Sequence, residues 1–402
     1  MFRSLISAII LLLVLSVSIA NAQNSCAALF SRTKSLTKIL PRGQTIEFRR
    51  GFSQKNLDRP AVERFDRQLG DLFAVLSLGN SETVAHELIK RGSRDTLYHL
   101  DALIRMYRET DLLDREARDL LGRSKVKLQM LSKILGDTND ANKYYKFAKK
   151  AGLPRSVQDA LKLRRDKARA DFETFLASKA WLEGKPQLLK KIGEVMSDLA
   201  EVKKKQDHRE IGQAVADQLH DLLDSTLLEE YQLPRARTTP QVNRERFEEG
   251  PHEIRQLIRR VLASMNAAGD MFVLDFTPTA EYGGFQIDRS KPSVEKYLSG
   301  LLSPGPKSKR TVTVSADYVF ALIDYVHRLG EAKDLVQAED FLVWGLTTSG
   351  VATGPAAEVM AREIAAKHRK FENPFRQAFY VIKDIQEKQV LEKLVRQIES
   401  QL

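Results

Sequence analysis

From about residue 58 onward, apolar residues recur every three to four positions, the signature of amphipathic helices. Val62, Phe65, Leu69, Leu72, Phe73 and Leu76 make one stripe behind Pro60, which suits a first helical turn. Gly79-Asn80-Ser81 is a break, Ser81 is expected to cap a helix to Lys90, and Gly92 to end it. The next helix is expected over Arg94–Glu109, with Leu97, Leu100, Leu103, Ile104 and Tyr107 facing inward. Helical pattern fills 111–135; Gly136-Asp137-Thr138 reads as a helix–turn–helix joint, and 139–150 closes at Gly152-Leu153-Pro154. From Ser156 to about Leu233 the pattern is almost unbroken, divided at Gly184-Lys185-Pro186. Residues 251–268 are helical again. Residues 269–292 hold Gly283-Gly284 and aromatics off the helical period, which predicts a long loop or a small strand pair. Pro304-Gly305-Pro306 breaks the chain, and helices are expected over 315–346, 355–372 and 374–400.

These elements predict an all-α fold of two similar antiparallel helical-bundle halves with a small irregular insertion near 269–292. The first half covers 56–234. A polar stretch with no apolar period, 235–250, serves as linker, and 251–402 form the second half with the C-terminal helices. Residues 23–55 are polar and mixed, and read as an irregular arm turning at Pro41-Arg42-Gly43. Residues 1–22 have the flanks of a secretory signal peptide: Arg3, an apolar run from Leu5 to Ile19, then Ala20-Asn21-Ala22. The expectation is cleavage after Ala22 and a periplasmic or secreted protein with no transmembrane span in the mature chain.

One phrase occurs twice. Leu128-Gln129-Met130-Leu131-Ser132-Lys133-Ile134-Leu135-Gly136-Asp137-Thr138-Asn139-Asp140 returns 194 residues later as Leu322-Ile323-Asp324-Tyr325-Val326-His327-Arg328-Leu329-Gly330-Glu331-Ala332-Lys333-Asp334. Each copy is an apolar stripe closing on Leu-Gly-acid-x-x-Asp, the form of a helix end. So wide an offset points to two related halves and not to a short-period solenoid.

Charge changes the picture next. The chain has 402 residues and a formal net charge of +11, a balance that favours polyanionic partners. The sharpest candidate is the helix starting at Pro251. His252, Arg255 and Arg259 fall at i, i+3 and i+7, so they share a face opposite Ile254, Leu257, Ile258, Val261 and Leu262. Guanidinium groups bind phosphate oxygens bidentately, so such a row suits phosphate. Arg260 lies off that face. Aligning Leu103-Ile104-Arg105 with Leu257-Ile258-Arg259 puts Tyr98 at the place of His252 and Asp101 at that of Arg255, while Arg105 and Arg108 keep their charge. That offset is 154, so the second half needs an insertion of 40 before its copy of the phrase. Lys307, Lys309 and Arg310 are expected to add to the same surface. Lys162, Arg165 and Arg169, the run Lys203-Lys204-Lys205, and Lys367-His368-Arg369-Lys370 read as solvated faces when taken alone.

At these residues the chain resembles the CHAD family, the conserved histidine α-helical domain. His252-Glu253-Ile254-Arg255 followed by Arg259-Arg260 looks like its His-x-x-Arg helix, and the two Leu-Gly phrases look like its later helix ends. The resemblance spans roughly residues 60–350. It implies two similar helical bundles and non-catalytic binding of inorganic polyphosphate on a basic central surface.

Other chemistry finds little support. The seven His are scattered, with no His-Glu-x-x-His, and no phosphate loop or Gly-x-Ser-x-Gly is present. Asp137, Asn139 and Asp140 invite a calcium loop, but Asn142 stands where the turn glycine belongs and Ala148 where the final glutamate belongs. Cys26 is the single cysteine, so no intrachain disulfide forms. No aromatic interleaving suggests base stacking, which argues against sequence-specific nucleic acid. The expectation is a non-enzymatic protein without cofactor or metal, binding polyphosphate or another polyanion. The alternative is a helical scaffold of the cell envelope with no small ligand, in which case a protein partner takes its place.

Overall fold

The computed structural model describes residues 36–39, 45–48, 60–78, 80–227, 247, 250–282, 297, 298, 301, 312–368 and 374–402. Among them are twelve helices and two short strand pairs. In chain order these are β1 (Leu36–Ile39), β2 (Thr45–Phe48), α1 (Pro60–Leu76), α2 (Ser81–Lys90), α3 (Arg94–Glu109), α4 (Arg115–Lys150), α5 (Arg155–Ala177), α6 (Lys179–Leu199), α7 (Lys204–Leu227), α8 (Pro251–Ala267), β3 (Phe272–Asp275), β4 (Val312–Ser315), α9 (Ala316–Thr348), α10 (Gly354–Lys367), α11 (Pro374–Lys388) and α12 (Val390–Glu399). The fold is all-α. No helix among the described residues is long and apolar enough to cross a membrane.

The helices repeat one packing order. In the first half α3 packs on α4, and α4 on α5 and α6; in the second α8 packs on α9, and α9 on α10 and α11. The two series meet through their equivalent members, α3 against α8 and α7 against α12. One apolar core runs through both, from Phe65, Leu100 and Leu131 to Ile258, Leu322 and Leu391. A second cluster joins the far ends of the long helices, where Val157 and Leu161 meet Leu342, Leu346 and Ala361.

Polar chemistry ties the core together at one point. Arg64 is fully buried and grips Asp270 with two nitrogens, Nε–Oδ1 at 2.7 Å and Nη2–Oδ2 at 2.8 Å. Its Nη1 donates to Tyr107 Oη and to Asp207 Oδ2, so α1, α3, α7 and the turn after α8 are joined. Burial alone would raise the Asp270 carboxyl, but Arg64 and His208 together outweigh it and hold the group below the usual carboxylate range. Removing one partner of such a pair leaves a buried charge, at a cost of roughly 3–5 kcal/mol.

Several expectations need correction. Residues 36–39 and 45–48 pair antiparallel, with Leu36 opposite Phe48, where an irregular arm was expected. Helix α2 is capped by Asn80, whose side chain accepts from Thr83 N at 2.8 Å; Ser81 is already helical. Gly92 does end it, at φ +62°. The run after Ser156 divides at Ser178 and again at 200–203, and α6 passes straight through Pro186. Ser178 decides the first break, because its hydroxyl accepts from Trp181 N. Residues 272–275 are a strand, but their partner is 312–315, in parallel register. The last helix is two, split at Gln389, which holds φ +51°. The linker 235–250 lies outside the described residues except for Phe247 and Gly250, as does most of 283–311.

The largest correction concerns the repeated phrase. Gly136 and Gly330 end nothing: α4 runs unbroken over 36 residues and α9 over 33. Each glycine instead seats an arginine from the neighbouring helix. A Cβ at Gly136 would lie 2.9 Å from Arg94 Cζ, and one at Gly330 would lie 3.1 Å from Arg255 Nε. Glycine inside a helix costs about 0.5–1 kcal/mol relative to alanine, so the seat is bought with helix stability.

Candidate polyanion cleft

Helix α3 forms because Leu97, Leu100, Leu103, Ile104 and Tyr107 share its inner face, and all five are buried. Asn266 Nδ2 donates to His99 Nε2 at 2.9 Å, which fixes α3 to the end of α8. The opposite edge of α3 carries Arg94, Tyr98, Asp101, Arg105 and Arg108, spaced four, three, four and three residues apart. The edge of α4 that faces it carries Lys133, Ser132 and Gln129, above the buried Leu128, Leu131 and Leu135. Helix α8 buries Ile254, Ile258, Val261 and Leu262 and turns Gln256, Arg259 and Arg260 to the same space.

Between these three helices lies an open cleft of about 320 Å³. Arg94, Arg105, Lys133, Arg259 and Arg260 line it, with Tyr98 and Tyr297; among the described residues Asp101 is the only acid that does. Arg105 Nε donates to Asp101 Oδ2 at 2.7 Å and Gln129 Nε2 to Asp101 Oδ1 at 2.9 Å, so that carboxylate is held. Arg259 lies 4.1 Å from the centre of the Tyr98 ring, and Arg94 lies 5.5 Å from it. Burial works against the Arg259 charge, but the Tyr297 and Tyr98 hydroxyls outweigh it and hold the guanidinium above its ordinary range. Arg260 goes the other way: burial lowers it first and Arg105 next, only partly offset by Asp101, Glu253 and Asp221. Cations crowded in this way favour an anion that would relieve their repulsion.

The expected donor row divides. Arg259, Arg260 and Arg105 come together in the cleft. Arg255 turns toward α9, where its Nε donates to Val326 O at 3.3 Å above Gly330. Burial lowers the Arg255 pKa first and the Arg259 charge next. His252 takes a hydrogen bond from Gln256 Nε2 at 3.0 Å. Burial, then Lys333, Arg255 and Arg259, push its pKa down to about 3, so it is a neutral group beside the cations at pH 7. Arg108 is exposed and lies along α4 at Gly122, 3.2 Å from where a Cβ would stand. Lys307, Lys309 and Arg310 lie outside the described residues.

Arg94, Lys133 and Tyr297 were not among the expected site residues. Two of them carried a signal: Lys133 sits inside the repeated phrase, and Arg94 begins the α3 stripe that Arg105 and Arg108 continue. Tyr297 carried none. The other basic runs behave as solvated faces where described: Arg165 pairs with Asp166, and Arg169 with Glu173 and Glu82. Among the described residues no group of three or more His, Cys, Asp or Glu is placed to hold a metal ion. Compared with known proteins, the chain matches no family model, no curated relative and no solved structure.

Proposed function

We propose that this chain is a non-enzymatic binder of inorganic polyphosphate or a similar polyanion, acting in the periplasm or outside the cell as a divergent relative of the CHAD proteins. One observation carries the reading: among the described residues five cations from three helices converge on one cleft, and the one acid there is already held by Arg105 and Gln129. Guanidinium forks at Arg94, Arg105, Arg259 and Arg260 suit phosphate oxygens, and charge-assisted bonds of this kind contribute about 1.5–3 kcal/mol each. The packing order repeated in the two halves supports the relationship, and the Arg seats at Gly136 and Gly330 give the repeated phrase a shared role.

The test is titration of the chain from Gln23 onward with long-chain polyphosphate at low and high salt, beside Arg259→Ala/Arg260→Ala. The expected result is binding that falls steeply with salt, with a log–log slope of roughly −0.7 per phosphate neutralised, as for single-stranded polyanions. The double variant is expected to lose about tenfold or more. Binding indifferent to salt, or unchanged in the double variant, sinks the reading.

A further inference from the structure

Helices α4 and α9 end alike. Gly152 follows α4 at φ +65° and Gly350 follows α9 at φ +71°. Leu153 N donates to Ala148 O at 3.2 Å and Val351 N to Leu346 O at 3.1 Å, the bond that closes a helix over a left-handed glycine. In that motif the residue after the glycine packs back on the helix. Leu153 does so and is buried, whereas Val351 is 39% exposed. The two turns lie side by side: a Cβ at Gly345, in the last turn of α9, would lie 3.1 Å from Leu161 Cγ and 3.3 Å from Val157 Cγ1 at the start of α5. Their chemistry differs. Residues 141–158 carry five bases and no acid, and residues 341–357 carry no charged group. Lys143 is taken by Asp334 at 2.5 Å. Lys146, Lys149 and Lys150 are exposed and, among the described residues, form no ion pair. The C-terminus of α4 favours the Lys149 and Lys150 charges. It does not account for Arg155, which opens α5 at the end where a cation is disfavoured and meets Asp159 only at 4.0 Å, both groups being exposed. Beside these cations the second turn shows water Val351 and Pro355 and, one turn into α10, Val359 and Met360.

We propose that this end of the molecule docks on an anionic bilayer surface. The cations of the first turn meet lipid phosphates, and Val351 with its apolar neighbours enters the headgroup layer. Clustered bases at a helix end are drawn to anionic lipid, and their long stems let the charges stay in water while apolar side chains sink. The uncharged second turn decides between occupants: a soluble polyanion finds no partner in it, whereas a bilayer takes both turns at once. The proposal is independent of the cleft, which lies between α3, α4 and α8 and uses none of these residues.

The experiment is co-sedimentation of the chain from Gln23 onward with phosphatidylcholine vesicles, with and without phosphatidylglycerol, at low and high salt. The proteins are the wild type, Lys146→Ala/Lys149→Ala/Lys150→Ala, Val351→Ser and Arg259→Ala/Arg260→Ala, with thermal melts to check that each is folded. The wild type is expected to bind only the anionic vesicles and to leave them as salt rises. The lysine variant is expected to bind them about a hundredfold more weakly, about fivefold for each lysine. Val351→Ser is expected to weaken them about three- to tenfold. The cleft variant is expected to stay within about twofold of the wild type. A wild type that binds neither vesicle or both alike, or a lysine variant that binds as the wild type does, overturns the proposal. So does a lysine variant that loses long-chain polyphosphate as strongly as vesicles, because the end would then belong to the polyanion surface. Loss of vesicle binding in the cleft variant would put the lipid at Arg259 and overturn it too. The polyanion reading stands or falls on its own titration.

Discussion

Helices α4 and α9 hold equivalent places in the two halves, and their facing edges have opposite fates. At the offset of the repeated phrase, Lys125, Gln129, Ser132 and Lys133 correspond to Val319, Ile323, Val326 and His327. Val319, Ile323 and Val326 are buried, whereas Gln129 and Lys133 are exposed. Other faces of α9 are covered by the chain between α8 and α9. The stretch 272–282 runs along the first half of α9: Thr279 N and Oγ1 donate to Asp317 Oδ2, Tyr318 Oη donates to Glu281 Oε2, and Phe276 meets Phe320. This is the described part of the insertion that the two offsets required. Among the described residues nothing equivalent lies on α4. One helical frame supports a buried apolar edge on α9 and an open edge on α4 that keeps its cations. The glycine seats are common to both, but only the arginine seated on Gly136 lines the cleft.

The largest expected effect comes from opening the covered half. Tyr325 Oη donates to Asp384 Oδ2 at 2.8 Å and meets Tyr282 Oη at 2.8 Å. Tyr325→Phe takes a donor from a partly buried carboxylate, and is expected to cost about 1–3 kcal/mol of stability in denaturant melts. Polyphosphate affinity should stay within about twofold, or about 0.4 kcal/mol. An affinity that falls together with stability would show that the halves do not work separately, and the comparison would break.

The glycine seats sharpen it. In Gly136→Ala the new methyl stands too close to Arg94 Cζ, so the guanidinium must leave α4. Affinity for polyphosphate is expected to fall about three- to tenfold, roughly 1 kcal/mol, while the helix itself gains about 0.5–1 kcal/mol. A protein that melts higher and binds more weakly is the expected signature. Gly330→Ala needs a shift of only a few tenths of an ångström from Arg255, and that arginine faces α9 and not the cleft. Its effect on affinity is expected to be less than about twofold. Equal losses at the two glycines, measured side by side, would place Arg255 in the binding surface as firmly as Arg94.

Much of the frame was legible in the sequence. Arg94–Glu109 and the start of α8 at Pro251 were read from apolar period and capping chemistry, and those local signals sufficed. The repeat was legible too, but its cause was not. Leu-Gly is a common helix ending, and only the approach of Arg94 and Arg255 from other helices explains glycine in mid-helix. Gln389 shows the same limit: a residue with no turn preference adopts φ +51° between the buried Ile385 and the buried Val390 and Leu391. In the site, Arg259, Arg260 and Arg105 were found because periodicity places residues on faces. Arg255 was assigned to the same row because periodicity cannot say which neighbour a face meets. Asn80, one residue ahead of the expected cap, needed only side-chain geometry.

His252 gives the smallest effect and tests the row most directly. In the folded protein its pKa is pushed from 6.5 down to about 3 by burial and then by Lys333, Arg255 and Arg259. Between those values the unfolded chain takes up a proton that the folded chain refuses. The stability from this group is therefore fully present above about pH 6.5 and is lost as pH falls toward 3. His252→Gln should remove that part of the acid sensitivity, so the variant's melting temperature should fall less than the wild type's between pH 7 and pH 4. The same neutrality sets the pH profile of binding. A protonated histidine in the donor row would tighten polyphosphate binding as pH falls through 6.5, whereas a neutral one leaves the affinity flat from pH 8 to pH 6. Titrations of the wild type and His252→Gln at three pH values in that range decide it. A tightening that disappears in the variant would mean that the bound anion overcomes the three neighbouring cations and charges His252, and the α8 row would then act as one unit with the cleft.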